Sequence, residues 1–208
     1  GKNSDSFSAS DQKPESALLG KTQMQSIKNW LINGPDSYGK TEFKFIATPQ
    51  PVTRNANLHG ERCEETWNGH SSERDELLTF IKNNNITGVL FLSGDMHQVG
   101  VYEIDDGVYE VSASPLDASG QVTNHASLGV DKTFYEGWSF NQGFAVLEVD
   151  GEEVHVKIYH GGGSIVIEGV ICFIYAGAIV WFGWGLKEGK LFINKEAKGK
   201  KKVWRVGI

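Results

Sequence analysis

The chain has 208 residues, a formal net charge of −6 at pH 7, and 39% hydrophobic and 22% charged residues. This composition is typical of a folded domain with enough residues to bury a core, and it excludes an intrinsically disordered chain. The acidic balance argues against a nucleic-acid-binding surface, and two cysteines, Cys63 and Cys172, are too few for a disulfide framework or a cysteine zinc cluster.

Loops, helices and strands alternate in the first part of the chain. Residues 1–16 are polar, lack the apolar core of a signal peptide and predict a loop from the middle of a longer chain. LLGKTQMQSIKNWLING predicts a helix that begins at an N-cap, Thr22, with Gln25 in a capping box, and ends at NGPDSYG. A strand, Phe43 to Ala47, leads into a long loop over residues 52–69.

A second helix and a buried strand come next. SSERDELLTFIKNNN predicts a helix with Ser71 or Ser72 as its cap and with Leu77, Leu78 and Ile81 as its buried stripe. GVLFLSG is continuously apolar, which indicates a strand buried on both faces, as in a parallel sheet.

The pattern then becomes entirely β. GVYEI and GVYEVSAS flank the tight-turn signal DDG and predict one hairpin. A second hairpin is predicted around Asp150-Gly151, since Val154, Val156 and Ile158 alternate with polar residues.

The most apolar stretch is residues 164–186. Eighteen consecutive residues from Gly169 to Leu186 are uncharged, which meets the length criterion for a membrane-spanning helix. Two tryptophans near its end and a basic tail, residues 187–208, match an interfacial belt and a cytosolic flank. The sequence therefore predicts a transmembrane anchor. A buried pair of strands is the alternative, because valine, isoleucine and aromatic residues favour strands.

An acid and an imidazole, Asp95 and His97, follow the buried strand directly after Gly94. Positions i and i+2 of an extended segment share a face, and open α/β sheets place their sites at the carboxyl ends of their strands. A carboxylate and an imidazole suit zinc, iron or manganese, and each can bind one ion of a dinuclear pair. The residues alone also fit a turn-capping aspartate beside a structural histidine.

Several further pieces occur in order around GDMH: LLGKTQMQSIKNWL, EFKFIATPQPV, ETWNGHSSERDELLTFI and YEVSASPL. The series resembles the C-terminal half of the PhoD-like alkaline phosphatases, a branch of the calcineurin-like metallophosphatases, over residues 17–160. The matching residues are Leu19-Gly20, Gln23, Trp30-Leu31, Trp67, Gly69, Glu73-Arg74, Gly94-Asp95 and His97. The spacing from Gln23 to Trp30 is longer than in the family pattern, and His70 replaces the usual tyrosine.

The resemblance implies an α/β sandwich of two β-sheets flanked by helices. It also implies the hydrolysis of phosphomonoesters and phosphodiesters at a di-metal centre. Asp95 and His97 match the family motif and are implied to be the catalytic metal ligands. Iron with calcium is the implied metal pair, zinc or manganese is the alternative, and a phosphate ester is the substrate. Family members are typically exported, so the catalytic domain of an anchored protein is expected on the extracellular or lumenal side.

Trp67, His70 and Arg74 are candidate substrate contacts because they belong to the matched loop and helix. An arginine binds phosphate through two parallel hydrogen bonds. A solvated surface arginine beside a capped helix is the alternative interpretation.

The other ligands of such a site belong to motifs that this sequence lacks. None of D-x-H, G-D-x-x-D or G-N-H occurs before residue 94. We therefore expect residues 1–160 to be the C-terminal part of a phosphatase domain, inactive as an isolated fragment. Residues 161–186 are then a linker and a hydrophobic transmembrane helix, followed by the basic tail.

Two other interpretations stay open. One is a non-catalytic, membrane-anchored ectodomain on the same scaffold that binds a ligand or partner. The other is a soluble β-rich domain in which residues 164–186 are core strands and the tail binds anionic surfaces.

Overall fold

The computed structural model describes residues 17–38, 43–56, 66–97, 99–113, 130–137, 143–150, 153–160, 165–174 and 177–184. Both predicted helices, the two predicted strands and the two predicted hairpins are confirmed, and further strands lie between and after the hairpins. The elements are α1 (Gly20–Tyr38), β1 (Lys44–Ala47), α2 (Ser71–Asn83), β2 (Val89–Ser93), β3 (Val99–Asp105), β4 (Val108–Ser112), β5 (Lys132–Gly137), β6 (Gly143–Asp150), β7 (Glu153–His160), β8 (Ile165–Ile174) and β9 (Gly177–Trp184).

The first sheet has the strand order β1-β2-β4-β3-β5. β1, β2 and β4 run parallel, whereas β3 is antiparallel to both β4 and β5. β2 lies between β1 and β4, and Val89, Leu90 and Phe91 are fully buried, which explains its continuously apolar sequence. Because β1, β2 and β4 end at the same edge, the residues that follow each of them lie close together.

The second sheet is the antiparallel series β6-β7-β8-β9, and it packs on one face of the first sheet. The two helices cover the other face, where Leu31 and Leu77 join Phe91 in a separate core. The molecule is therefore a mixed α/β structure with two sheets, and it is mostly β. The core between the sheets contains Leu90, Val101, Val111, Val154, Val156, Ile158 and Ile171.

The N-terminus of α1 is capped from a distance. The amides of Leu18, Leu19 and Gly20 precede the first intrahelical hydrogen bonds. All three donate to the Glu73 carboxylate, at 2.7, 2.9 and 2.9 Å. Glu73 lies in the first turn of α2, so one carboxylate stabilises the positive ends of two helix dipoles. The predicted local cap, Thr22, is wrong because a side chain 53 residues from Gly20 takes its place.

Two other predicted helix ends are wrong. α1 continues through the NGPDSY segment to Tyr38, and Gly34 leaves room for the indole of Trp30, to which a Cβ at Gly34 would approach within 2.7 Å. α2 has His70 as its N-cap, and neither predicted serine fills that position. The His70 carbonyl accepts the amides of Glu73 and Arg74.

The hydrophobic stretch near the C-terminus forms strands. Residues 165–174 and 177–184 are β8 and β9, paired antiparallel to each other. The structure therefore has a β-hairpin where a C-terminal hydrophobic helix was predicted, and this is the alternative that the β-favouring residues of the stretch had left open. β7 provides the pairing edge for β8, and the glycines of this stretch are poor helix formers. Among the described residues, no helix has the length and apolar character needed to cross a membrane.

Several predictions fall on residues that the structure does not describe. The predicted basic tail, residues 187–208, and the linker residues 161–164 lie outside the described ranges. The same is true of residues 57–65 in the predicted long loop.

Candidate active site

The turn after β2 has an unusual backbone. The Met96 amide donates to the Gly94 carbonyl at 2.8 Å, which closes a three-residue γ-turn around Asp95. Asp95 has a φ of +63° and His97 a φ of +54°, in the left-handed region that residues other than glycine seldom occupy. Such strain persists only where the surrounding structure holds it, and it is concentrated at functional sites.

The three side chains of this turn differ in burial. Asp95 is exposed, His97 is half-buried, and Met96 between them is fully buried in the core on the helix side of the sheet. Met96 therefore anchors the turn by burial of its side chain, while the Asp95 carboxylate stays accessible to a ligand.

The neighbouring strands hold the turn through backbone hydrogen bonds. The Thr48 amide, just after β1, donates to the Leu92 carbonyl at 2.9 Å, and the Ala113 amide, just after β4, donates to the Ser93 carbonyl at 3.0 Å. The turn with Asp95 thus lies where three parallel strands end. This is the edge at which open α/β sheets bind ligands.

Trp67 reaches the same edge from the loop before α2. Its indole nitrogen donates to the Thr48 hydroxyl at 3.1 Å, and its side chain is buried in the helix-side core. The structure therefore brings Trp67 next to the strand end that holds the turn. A direct contact between Trp67 and substrate stays a prediction.

Arg74 and His70 are both buried. The Arg74 guanidinium donates to the Asn68 side-chain oxygen and, at 3.1 Å, to the Asp75 carboxylate. Asn68 donates in turn to the Ala56 carbonyl at 2.9 Å. Arg74 therefore connects α2 to the loop after β1, and the predicted phosphate contacts of Arg74 and His70 stay predictions.

Residues 51–56 form a mostly buried segment without helix or strand structure. The backbone amides of such a segment need side-chain acceptors. Glu110 of β4 is fully buried and accepts the amides of Val52 and Thr53, at 3.0 and 2.6 Å. Its carboxylate also accepts the hydroxyl of Ser93, the last residue of β2.

Asp131, just before β5, is a second buried carboxylate bound to the same segment. It accepts the Thr53 hydroxyl at 2.8 Å and the Arg54 amide and guanidinium at 2.5–2.6 Å. The Asn55 side-chain nitrogen Nδ2 donates to the Asp131 backbone carbonyl at 2.9 Å. Glu110 and Asp131 were missed in the sequence because their partners in the segment 51–56 are 57 to 78 residues away. The available signal for Glu110 was an acid inside an apolar strand.

The buried position of Glu110 predicts a pH-dependent stability. Burial raises the pKa of Glu110 from 4.5 to about 7, the hydrogen bonds from Ser93, Val52 and Thr53 oppose the rise, and the nearby Asp131 carboxylate adds to it. The folded chain therefore keeps a proton between about pH 4.5 and 7 that the unfolded chain releases. The stabilising effect of this proton is fully present below about pH 4.5 and is lost as the pH rises through about 7.

Urea denaturation of the wild-type chain and of Glu110→Gln at pH 5 and pH 8 measures this effect. Glutamine is neutral at both pH values, so the free energy of unfolding of wild type relative to the variant should fall by a few kcal/mol at most between them. A difference that is the same at both pH values would mean that Glu110 does not titrate in this window.

The donor atoms at the turn fit one part of a metal centre. A carboxylate and an imidazole are ligands for zinc, iron and manganese, and Asp95 and His97 provide one of each. Among the described residues, no group of three or more histidine, cysteine, aspartate or glutamate side chains is placed to hold a metal ion. Asp95 and His97 could therefore supply two ligands of a larger set around a metal ion.

A family model described as PhoD-like phosphatase matches residues 2–157, well over half of the chain. The chain belongs to the PhoD-like phosphatase family. The resemblance found in the sequence is thereby confirmed, and with it a phosphatase at the level of the family. A search of curated proteins found no match.

The PhoD-like region contains both helices, the whole first sheet, β6 and most of β7. The same region contains the strained turn, Trp67, Arg74 and the buried carboxylates of Glu110 and Asp131. β8 and β9 lie beyond it.

Proposed function

We propose that this PhoD-like chain contributes Asp95 and His97 as metal ligands to a di-metal centre that hydrolyses phosphomonoesters or phosphodiesters. The observation that carries the proposal is the strained turn, which places a carboxylate and an imidazole at the carboxyl edge of a parallel sheet. The family match and the ligand chemistry support the same assignment. Iron with calcium is the metal pair that we propose, and zinc or manganese fits the same two donors.

Each part of the turn has a defined role in this proposal. When bound, a metal pair supplies a hydroxide nucleophile and positive charge for the phosphate oxygens. Asp95 provides a carboxylate oxygen and His97 an imidazole nitrogen. Met96 and the hydrogen bonds from the neighbouring strands keep the turn fixed, so that little reorganisation is needed when ligands bind.

Two protein ligands do not hold a pair of ions, since even a single catalytic zinc takes three. The proposal therefore requires further ligands from outside the described residues. We expect the 208-residue chain alone to show no metal-dependent hydrolysis of p-nitrophenyl phosphate with Mn²⁺, Zn²⁺, or Fe³⁺ and Ca²⁺. Metal-dependent turnover by these residues alone would show that the ligand set is already complete.

The proposal itself is tested with the natural protein in which the remaining ligands are present. Hydrolysis of p-nitrophenyl phosphate and bis-p-nitrophenyl phosphate is measured before EDTA treatment, after it, and after metal is restored. We expect activity to be lost with the chelator and recovered with the metal. Activity that survives complete removal of metal would overturn the proposal. If no metal gives activity, a ligand-binding ectodomain on the same scaffold becomes the better explanation.

A further inference from the structure

The strained backbone at Asp95 and His97 raises the question of what holds it. Two left-handed residues around one buried methionine are stable only if several independent contacts fix the chain on both sides. The backbone bonds from Thr48 and Ala113 hold the strand ends. The side chain of Ser93, two residues before Asp95, has a further contact with Glu110.

Glu110 joins this turn to the buried segment 51–56. One carboxylate oxygen accepts both the Ser93 hydroxyl and the Val52 amide, and the other accepts the Thr53 amide. Ser93 and Ser112 are paired neighbours at the ends of β2 and β4, and Glu110 lies two residues before Ser112. Glu110 therefore reaches from the middle of β4 to the base of the turn.

We infer that Glu110 is a positioning residue for the metal-binding turn, acting through the Ser93 hydroxyl. This inference rests on the proposed function of Asp95 and His97 as metal ligands. Groups that orient metal ligands from behind typically change metal affinity or activity by about 10- to 100-fold when they are removed. The simpler alternative is that Glu110 only stabilises the buried segment 51–56, as Asp131 does.

Asp131 provides a matched control for that alternative. Asp131 is also a buried carboxylate, and its side chain accepts hydrogen bonds from Thr53 and Arg54 rather than from Ser93. Asp131→Asn should therefore loosen the same segment and lower stability while leaving the turn in place. Ser93→Ala removes the hydroxyl through which Glu110 is inferred to act, and it changes neither carboxylate.

The experiment is NMR spectroscopy of the full 208-residue chain, labelled with ¹⁵N, in its wild-type form and as Glu110→Gln, Ser93→Ala, the double variant and Asp131→Asn. Amide spectra without metal report the conformation of residues 94–97. Line broadening by added Mn²⁺ at Asp95 and His97 then gives the Mn²⁺ affinity of the turn. Urea denaturation of each variant reports stability separately.

We expect Ser93→Ala to shift the amide signals of residues 94–97 and to weaken Mn²⁺ binding by about 10-fold. Glu110→Gln keeps one acceptor oxygen, so it should act in the same direction by no more than that amount. The double variant should bind Mn²⁺ no more weakly than Ser93→Ala alone, because Glu110 is inferred to act on the turn only through the Ser93 hydroxyl. Asp131→Asn should leave the turn signals and the Mn²⁺ affinity unchanged even if it lowers stability.

Two outcomes would overturn the inference. One is a Ser93→Ala variant with wild-type turn signals. The other is an Asp131→Asn variant that perturbs the turn as strongly as Ser93→Ala does. If wild type shows no Mn²⁺ broadening at Asp95 and His97, these two side chains do not bind Mn²⁺ without the further ligands, and the metal-free spectra still decide whether Glu110 positions the turn.

Discussion

Asp95→Asn and His97→Asn should each lower metal-dependent phosphoesterase activity by about 1,000-fold or more in a form of the protein that has the proposed ligand set. Loss of a ligand removes a bound ion whose charge stabilisation amounts to several kcal/mol, and each factor of ten corresponds to about 1.4 kcal/mol. Asparagine tolerates the left-handed backbone as aspartate and histidine do. Both variants should therefore keep wild-type stability to within about 0.5 kcal/mol when the metal-free proteins are compared.

The measurement is kcat/KM for p-nitrophenyl phosphate, with unfolding by urea followed in parallel. Asp106→Asn and His155→Asn are matched controls, since Asp106 is an exposed aspartate in the β3–β4 turn and His155 a half-buried histidine on β7. Both controls should retain wild-type activity. Near-normal turnover and metal content in the Asp95 or His97 variant would show that the substituted residue is not a metal ligand.

Glu73→Ala should lower the free energy of unfolding by about 2–3 kcal/mol. The substitution leaves the amides of Leu18, Leu19 and Gly20 without their shared acceptor, and charge-assisted caps of this kind are among the stronger single contributions to helix stability. Glu73→Gln keeps one acceptor oxygen and should lie between wild type and Glu73→Ala. Urea denaturation measures all three proteins.

Glu76→Ala is the control for this prediction. Glu76 lies on the same helix and pairs with Lys28 at 2.5 Å, but its side chain is 54% exposed, so its loss should change stability by less than about 1 kcal/mol. Equal effects of Glu73→Ala and Glu76→Ala would show that the three amide contacts do not stabilise α1.

Local patterns predicted those elements whose signals lie within a few residues. The continuously apolar GVLFLSG indicated a strand buried between two others, and β2 has β1 and β4 on its two sides. The DDG signal indicated the β3–β4 hairpin, where Gly107 adopts a φ of +72°. The apolar run just before Asp95 and His97 also located this D-x-H pair at the end of a buried strand.

Contacts between distant parts of the chain were beyond those patterns. The cap of α1 comes from Glu73 on another helix, and the N-cap of α2 is His70. The threonine and serine signals near the two helix starts were therefore misleading. Glu110 and Asp131 act on residues 51–56 across the fold. The apolar run that forms β8 and β9 met a length rule for membrane helices, and only its pairing with β7 distinguishes the two structures.

The most direct test is a crystal structure of the natural protein grown with Zn²⁺, with anomalous scattering used to locate the metal. We predict an anomalous peak about 2.0–2.2 Å from a carboxylate oxygen of Asp95 or an imidazole nitrogen of His97, the distances usual for zinc ligands. An occupied metal centre whose ions all lie beyond about 4 Å from both side chains, well outside those bonding distances, would contradict it.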